Sequence, residues 1–343
     1  MSVKDFVQQR RDDFISLRRD FHMYPEPAWL EYRSAAKVAE KLIALGYDVA
    51  LGAEVLDLDS RMGLPSEDIM KAAMDRAMDE GADPELVEKM GYGKTAIVAT
   101  MKFSDVGPVV AFRADMDSND VIESKASNHI PVKNGFRSRH EKAMHACGHD
   151  AHTAYMLILG ETLIEMKDQL RGNVVIIHQP AEEMPPGGAK GMIDDGVLEG
   201  VDHVLGAHVM SMMETGKIYY REGFVQTGRA YFRLVVKGQG GHGSSPHTSN
   251  DAIVAGAHFV TTAQTIVSRR LNPFETGVVT IGSFDGKGQF NVIKDTITIE
   301  GDVRALTDDT RDNIQNEMTR LVRGLEEMFG VICDFEFKKD YPA

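Results

Sequence analysis

Between Met144 and Ala154 the chain reads MHACGHDAHTA, which sets the thiol of Cys147 two positions from the imidazole of His149 across a single glycine. Gly148 lets the backbone fold tightly enough for both side chains to face one ion. A thiolate and an imidazole together suit zinc or a neighbouring first-row metal, and carboxylates would complete the set. The same pair could instead make Cys147 a nucleophile activated by a histidine, or lie in a polar loop without chemistry. Glu182 and Glu183 stand side by side after the apolar run NVVIIHQP (173–180). In extended chain their side chains point apart, so one could bind metal while the other takes a proton from water. His208 sits in the apolar context VLGAHVM. Alone it reads as a packed core histidine; beside other ligands it reads as one of them. Asp115, in RADMD (113–117), falls at a strand tip, where a carboxylate can hold a ligand histidine by its second ring nitrogen. His152 reads as a supporting or helix-packing residue, and His145, His178 and His203 as structural. GQGGHGSSPH (238–247) places His242 in a glycine-rich loop, either a mobile turn or a histidine delivered by a moving domain. It holds no complete phosphate-binding motif. Asn291 and Arg304 lie around a strand pair, and together they could clamp a substrate carboxylate.

These residues form a site only if the chain between them converges. AIVATMKF (96–103), VVAFRADMD (109–117), NVVIIHQP (173–180) and HVLGAHV (203–209) are apolar runs with the character of buried strands, and a helix is expected from about Asp150 to Met166. Continuous apolar strands alternating with helices imply an α/β domain with a mostly parallel sheet covered on both faces. Ligands bind such sheets beyond the carboxyl ends of the strands. Asp115 and Asp117, the glutamate pair, His208 and the Cys147–His149 turn all fall on that one rim. Upstream, helical spacing predicts one helix over residues 3–22, ended before Pro25, and a second over 33–46, stopped by Gly46. Residues 52–93 are acidic and methionine-rich and read as a helical insertion, either a flap packed by its methionines or a cover for substrate or partner. From residue 226 the order β-α-β-β-α-β is that of a ferredoxin-like α+β unit. The expected organisation is therefore a metal-binding catalytic domain over 1–225, a smaller dimerisation or lid domain over 226–338, and a return toward the first domain beginning at 339–343.

With 343 residues the chain is long enough for two cores. Its 52 acidic against 38 basic residues give a net charge of −14, which argues against nucleic acid and anionic membrane as main partners. The start MSVKDFVQQRRDDF has no apolar leader, so a cytoplasmic protein is expected. Two cysteines do not make a disulfide framework, and in that compartment a cysteine among histidines points to metal or to chemistry.

Assembled in order, RRDFHMYPEPAWLEYRSA (18–35), AFRADMDS (111–118), MHACGHDAHTA (144–154), IIHQPAEE (176–183), GAHV (206–209), GQGGHGSSPH (238–247) and NVIKDTITIEGDVR (291–304) resemble the aminoacylase, hippurate hydrolase and auxin-conjugate hydrolase branch of the co-catalytic zinc metallopeptidases. The insertion DSRMGLP (59–65) is similar to one subgroup, which includes one of the subunits of p-aminobenzoyl-glutamate hydrolase. The resemblance implies a metal-dependent amidohydrolase of N-acyl or N-aroyl amino acids with two divalent ions per protomer, zinc or manganese, with cobalt or nickel as substitutes. It implies Cys147, His149, Glu183 and His208 as metal ligands, Glu182 as general base and Asp115 as support. It further implies His242 and Asn291 as oxyanion stabilisers, with His242 reaching a neighbouring protomer's site, and Arg304 as the substrate-carboxylate clamp. A homodimer through the smaller domain is expected, or a heteromer with a related chain. Such chains return to the sheet domain and supply a last metal-binding histidine. This sequence stops at KDYPA (339–343), so the expectation is either a fragment of a longer chain or a protein that lacks this part and is inactive. A dipeptidase or aminopeptidase of the same fold, a cysteine-nucleophile acyl hydrolase and an inactive binding protein are the alternatives.

Overall fold

The strand Asn173–Gln179 shows how the first core is built. Val174 and Ile176 join one buried cluster and Val175 and Ile177 another, so successive side chains leave opposite faces of the sheet and both faces are covered. This computed structural model describes residues 2–185 and 187–342; Met1 and Ala343, at the ends of the expected domains, and Pro186, after the glutamate pair, lie outside them. The chain divides into two compact units, Met1–Thr215 and Gly216–Ala343.

In the first unit α1 (Val3–Gln9) and α2 (Arg11–Met23) replace the single helix expected there. The break falls at Arg10, whose backbone leaves the helical region (φ −88°, ψ 6°) while its guanidinium bonds the buried Glu161. Next come α3 (Tyr32–Ala44) and β1 (Asp48–Leu51), a four-residue strand too short to announce itself by periodicity. The insertion folds as α4 (Glu67–Asp79) and α5 (Pro84–Met90); Asp83 caps α5, and Met70, Ala73, Ala77, Val87 and Met90 bury themselves in the cluster that α3 also fills. Then follow β2 (Ile97–Lys102), β3 (Val109–Asp115), the short α6 (Ile130–Lys133), α7 (His149–Glu165), β4 (Asn173–Gln179), α8 (Gly187–Asp194) and β5 (His203–Gly206).

The sheet is mixed, with order β1-β2-β4-β3-β5. β3 is parallel to both β4 and β5, whereas β1, β2 and β4 pair antiparallel. Side chains of α7 pack in the cluster on one face of the sheet, and Met192 of α8 in the cluster on the other. Leaving β3, the chain goes first to β4 on one side and later to β5 on the other. The carboxyl ends of these three strands therefore flank a crevice of the kind in which α/β sheets bind ligands.

The second unit contains β6 (Gly228–Lys237), β7 (Gly241–His242), α9 (Ala252–Thr265), β8 (Gly277–Asp285), β9 (Val292–Ile293), β10 (Thr296–Ala305), α10 (Asp308–Phe329) and β11 (Ile332–Tyr341). Its main sheet is antiparallel, order β11-β6-β10-β8, and the two helices bury Phe259, Ile314 and Met318 against Phe232, Leu234 and Ile299. Among the described residues no helix is long and apolar enough to cross a membrane.

Candidate metal centre at the rim of the sheet

The turn onto α7 carries the first two candidate ligands. Gly148 lies at φ 94°, and a Cβ there would sit 2.4 Å from Cγ2 of Val209, so both conformation and space require glycine. Asn119 Oδ1 accepts the backbone N–H groups of Ala146 and Cys147, each at 3.1 Å, which anchors the turn. His149 donates Nδ1–H to the carbonyl of Asp117 at 2.8 Å, leaving Nε2 as the free ligand atom. Around Nε2 stand Asp115 Oδ1 at 3.7 Å, Glu183 Oε1 at 3.8 Å and Glu182 Oε2 at 3.9 Å. On the other side Cys147 Sγ lies 3.5 Å from His208 Nε2. His149 is thus common to a Cys147–His149–His208 group and a His149–Glu182–Glu183 group, each with its ligand atoms within 4.8 Å of one another.

His149 Nε2, Glu183 Oε1 and Asp117 Oδ1 are all buried and have no hydrogen-bond partner. Buried polar atoms are normally satisfied. Two orphans of ligand type 3.8 Å apart, His149 Nε2 and Glu183 Oε1, fit a divalent cation, and a thiolate with imidazoles and carboxylates suits zinc or another first-row ion. The electrostatics agree. Burial alone would lower the pKa of His149, yet its closeness to Asp117 and Cys147 and the charges of Asp115 and Asp117 push it up to about 11. The crevice demands positive charge, and here the imidazolium supplies it. The neighbouring His149 and His208 rings lower the pKa of the Cys147 thiol. Burial raises that of Glu182, with His149 opposing.

Asp115 bonds His152 Nδ1 rather than one of the four expected ligands. His152 in turn accepts the N–H of Val209 on Nε2 at 3.0 Å, so Asp115 and His152 together steady the backbone beside His208. Burial lowers the pKa of His152, in keeping with a neutral ring that donates from Nδ1. Asp117 is legible in the sequence as a rim residue beside Asp115, but the sequence assigns it no role. Its carbonyl holds His149, and its Oδ2 accepts the N–H of Glu183 at 2.8 Å. The one local signal was a second aspartate two places past Asp115 at the same strand tip. His145 and His178 are fully buried, and burial lowers their pKa values to about 4 and about 3.

In the second unit β7 pairs with β9, so His242 faces Val292, and Gly243 N–H bonds the carbonyl of Asn291. His242 and Asn291, far apart in sequence, therefore stand on one small ribbon, and both are exposed. Arg304, on β10, bonds Asp302 and the Tyr341 hydroxyl, each at 2.7 Å.

The sequence model of peptidase family M20/M25/M40 matches residues 111–284. One of the subunits of the p-aminobenzoyl-glutamate hydrolase of Escherichia coli (strain K12) is 34% identical over 334 residues, 96% of this chain and 75% of that protein. Indole-3-acetyl-aspartic acid hydrolase of Enterobacter agglomerans is 33% identical over 332 residues, 96% of this chain and 74% of that protein. Among solved structures, a protein of methicillin-resistant Staphylococcus aureus assigned as an aminohydrolase aligns with a TM-score of 0.81 and 50% identity, over 99% of this chain and 78% of that one. Bacillus subtilis YxeP, described as a dinuclear metal binding peptidase, aligns with a TM-score of 0.73 and 25% identity, over 98% of this chain and 75% of that one. Because the family match spans Asp115, the Cys147–His149 turn, the glutamate pair and His208, and relatives at least 33% identical align over 96% of the chain, the chain belongs to peptidase family M20/M25/M40 and is a hydrolase of amide bonds.

Proposed function

We propose that this chain hydrolyses the amide bond of N-acyl or N-aroyl amino acids, with Cys147, His149, Glu183 and His208 holding two divalent ions, zinc or manganese, and Glu182 acting as general base. One observation carries the reading: the buried, unpartnered Nε2 of His149, with both glutamate carboxylates within 4 Å. Bound divalent ions supply Lewis acidity, which makes water a nucleophile near neutral pH and polarises the amide carbonyl. The chain's own residues do the rest. Glu182, on the rim beside the ligand cluster, removes a proton from the attacking water and can return it to the leaving amine; burial has already moved its pKa toward that task. Asp117 orients His149 and Glu183, and Asp115 acts through His152. His242 and Asn291 are assigned to the carbonyl oxygen as it becomes negative, and Arg304 to the substrate carboxylate. The names of the relatives, hydrolases of p-aminobenzoyl-glutamate and of indole-3-acetyl-aspartic acid, support an acylated amino acid as substrate. Assembly as a homodimer through the second unit is part of the same reading.

A chelator is expected to abolish hydrolysis, and zinc or manganese to restore it. Glu182→Gln is expected to keep its metal while kcat falls by roughly 10²–10⁴-fold, the usual contribution of a general base. Hydrolysis that survives chelation would instead assign the chemistry to the Cys147 thiol, and parental turnover in Glu182→Gln would remove Glu182 from the mechanism.

A further inference from the structure

Among the described residues, two that are not glycine have a positive φ: Trp29 at 66° and Ala181 at 54°. They lie far apart in sequence, yet one oxygen serves both. Glu31 Oε1 accepts the N–H of Trp29 at 3.1 Å and the N–H of Ala181 at 2.8 Å. The other oxygen, Oε2, contacts the Thr95 hydroxyl at 2.6 Å. Glu31 is fully buried, and so are Trp29, Thr95 and Ala181.

Ala181 is the hinge between β4 and the glutamate pair. Its carbonyl accepts the N–H of Met184, and the carbonyl of Pro180 accepts that of Gly188, so the chain turns sharply there. A left-handed L-residue costs about 1–2 kcal/mol, and such a conformation persists only where surrounding contacts impose it. Glu31 grips the backbone at Ala181, just before Glu182, and Asp117 grips it at Glu183, just after. The residue between the two grips is the base.

We infer that Glu31 is a positioning residue that sets the direction of Glu182 by holding Ala181 in its left-handed turn; this rests on the reading of Glu182 as general base. It acts through backbone and touches neither substrate nor metal. The contact pattern also states which replacement should work. Glutamine has the same shape: its Oε1 can accept both N–H groups and its amide can donate to Thr95. Alanine leaves both N–H groups without an acceptor. Aspartate keeps the acid but is one methylene too short to span from the start of α3 to Ala181.

The test combines hydrogen exchange on the metal-free protein with steady-state kinetics on the loaded one. In Glu31→Ala the peptide containing Ala181 is expected to exchange faster while the centre of β4 stays protected. With metal content and KM near the parent's, kcat should fall by about 10–100-fold, the scale on which outer-shell partners act. Glu31→Asp should behave alike, and it serves should the alanine variant not fold. Glu31→Gln should keep parental exchange and most of kcat. Adding Ala181→Gly to Glu31→Ala should recover part of kcat, because glycine adopts the left-handed conformation unaided. Parental exchange at Ala181 in both Glu31→Ala and Glu31→Asp would overturn the inference, and so would losses of kcat that merely follow loss of metal or of overall stability. If the parent hydrolyses no acylated amino acid, the functional reading fails, and the exchange measurements still decide the role of Glu31.

Discussion

At the level of single residues, His149 concentrates the electrostatics of the rim. Its pKa is raised from 6.5 to about 11 in the metal-free fold, so its proton must leave before Nε2 can bind a cation. The sign follows. In the metal-free protein this group contributes stability that is fully present below pH 6.5 and is lost as pH rises through about 11. Metal binding has the opposite dependence: uptake releases protons, and affinity strengthens as pH rises. The gain in Tm on adding zinc should therefore grow between pH 6.5 and 8, and indicator dye in weak buffer should report acid release on loading. Cys147→Ser replaces an easily ionised thiol with a hydroxyl that stays neutral. Its metal affinity should fall by at least the roughly 10–100-fold that losing an outer-shell partner costs, with fewer protons released on loading.

Elements place these residues at the rim through two faces of packing. β3 and β4 deliver Asp115, Asp117 and the glutamate pair because alternate side chains of each strand are buried on opposite sides, which leaves the carboxyl ends as the place for polar groups. The insertion behaves as a structural element: Met70 and Met90 are fully buried in the core that α3 and α7 share. Met90→Ala should therefore cost about 2–5 kcal/mol of stability, as large-to-small core changes do. Turnover per metal-loaded molecule should stay near the parent's, with denaturant unfolding and metal-normalised kcat as the two readouts. A large rise in KM at unchanged stability would assign the insertion to substrate instead.

For the whole molecule the proposed roles divide between the units. Every group proposed to hold metal lies in Met1–Thr215, whereas His242, Asn291 and Arg304 lie in Gly216–Ala343. His242→Ala and Asn291→Ala should keep the parent's metal content and lower kcat by roughly 10²–10³-fold, the cost of removing one oxyanion donor. Metal analysis beside steady-state kinetics separates this outcome from the Cys147 variant, which should lose both together. Full turnover in His242→Ala would confine the chemistry to the first unit.

What the sequence determined by itself was chemistry and order. An imidazole and paired carboxylates at the ends of apolar runs, with a thiol and imidazole at a turn onto a helix, make a candidate ligand set, because strand ends in an α/β sheet share one rim whatever their separation along the chain. The α+β pattern of the second unit was equally readable, since periods of two and of 3.6 are local properties. Tertiary structure decided what periodicity does not encode. The helix breaks at Arg10, whose side chain bonds Glu161, and β1 pairs with the edge of β2. Asp115 serves His152, Asp117 braces His149 and Glu183, and Glu31 reaches across 150 positions to Ala181. A buried carboxylate looks the same in sequence whichever donor it accepts from, and only the folded chain brings that donor within reach.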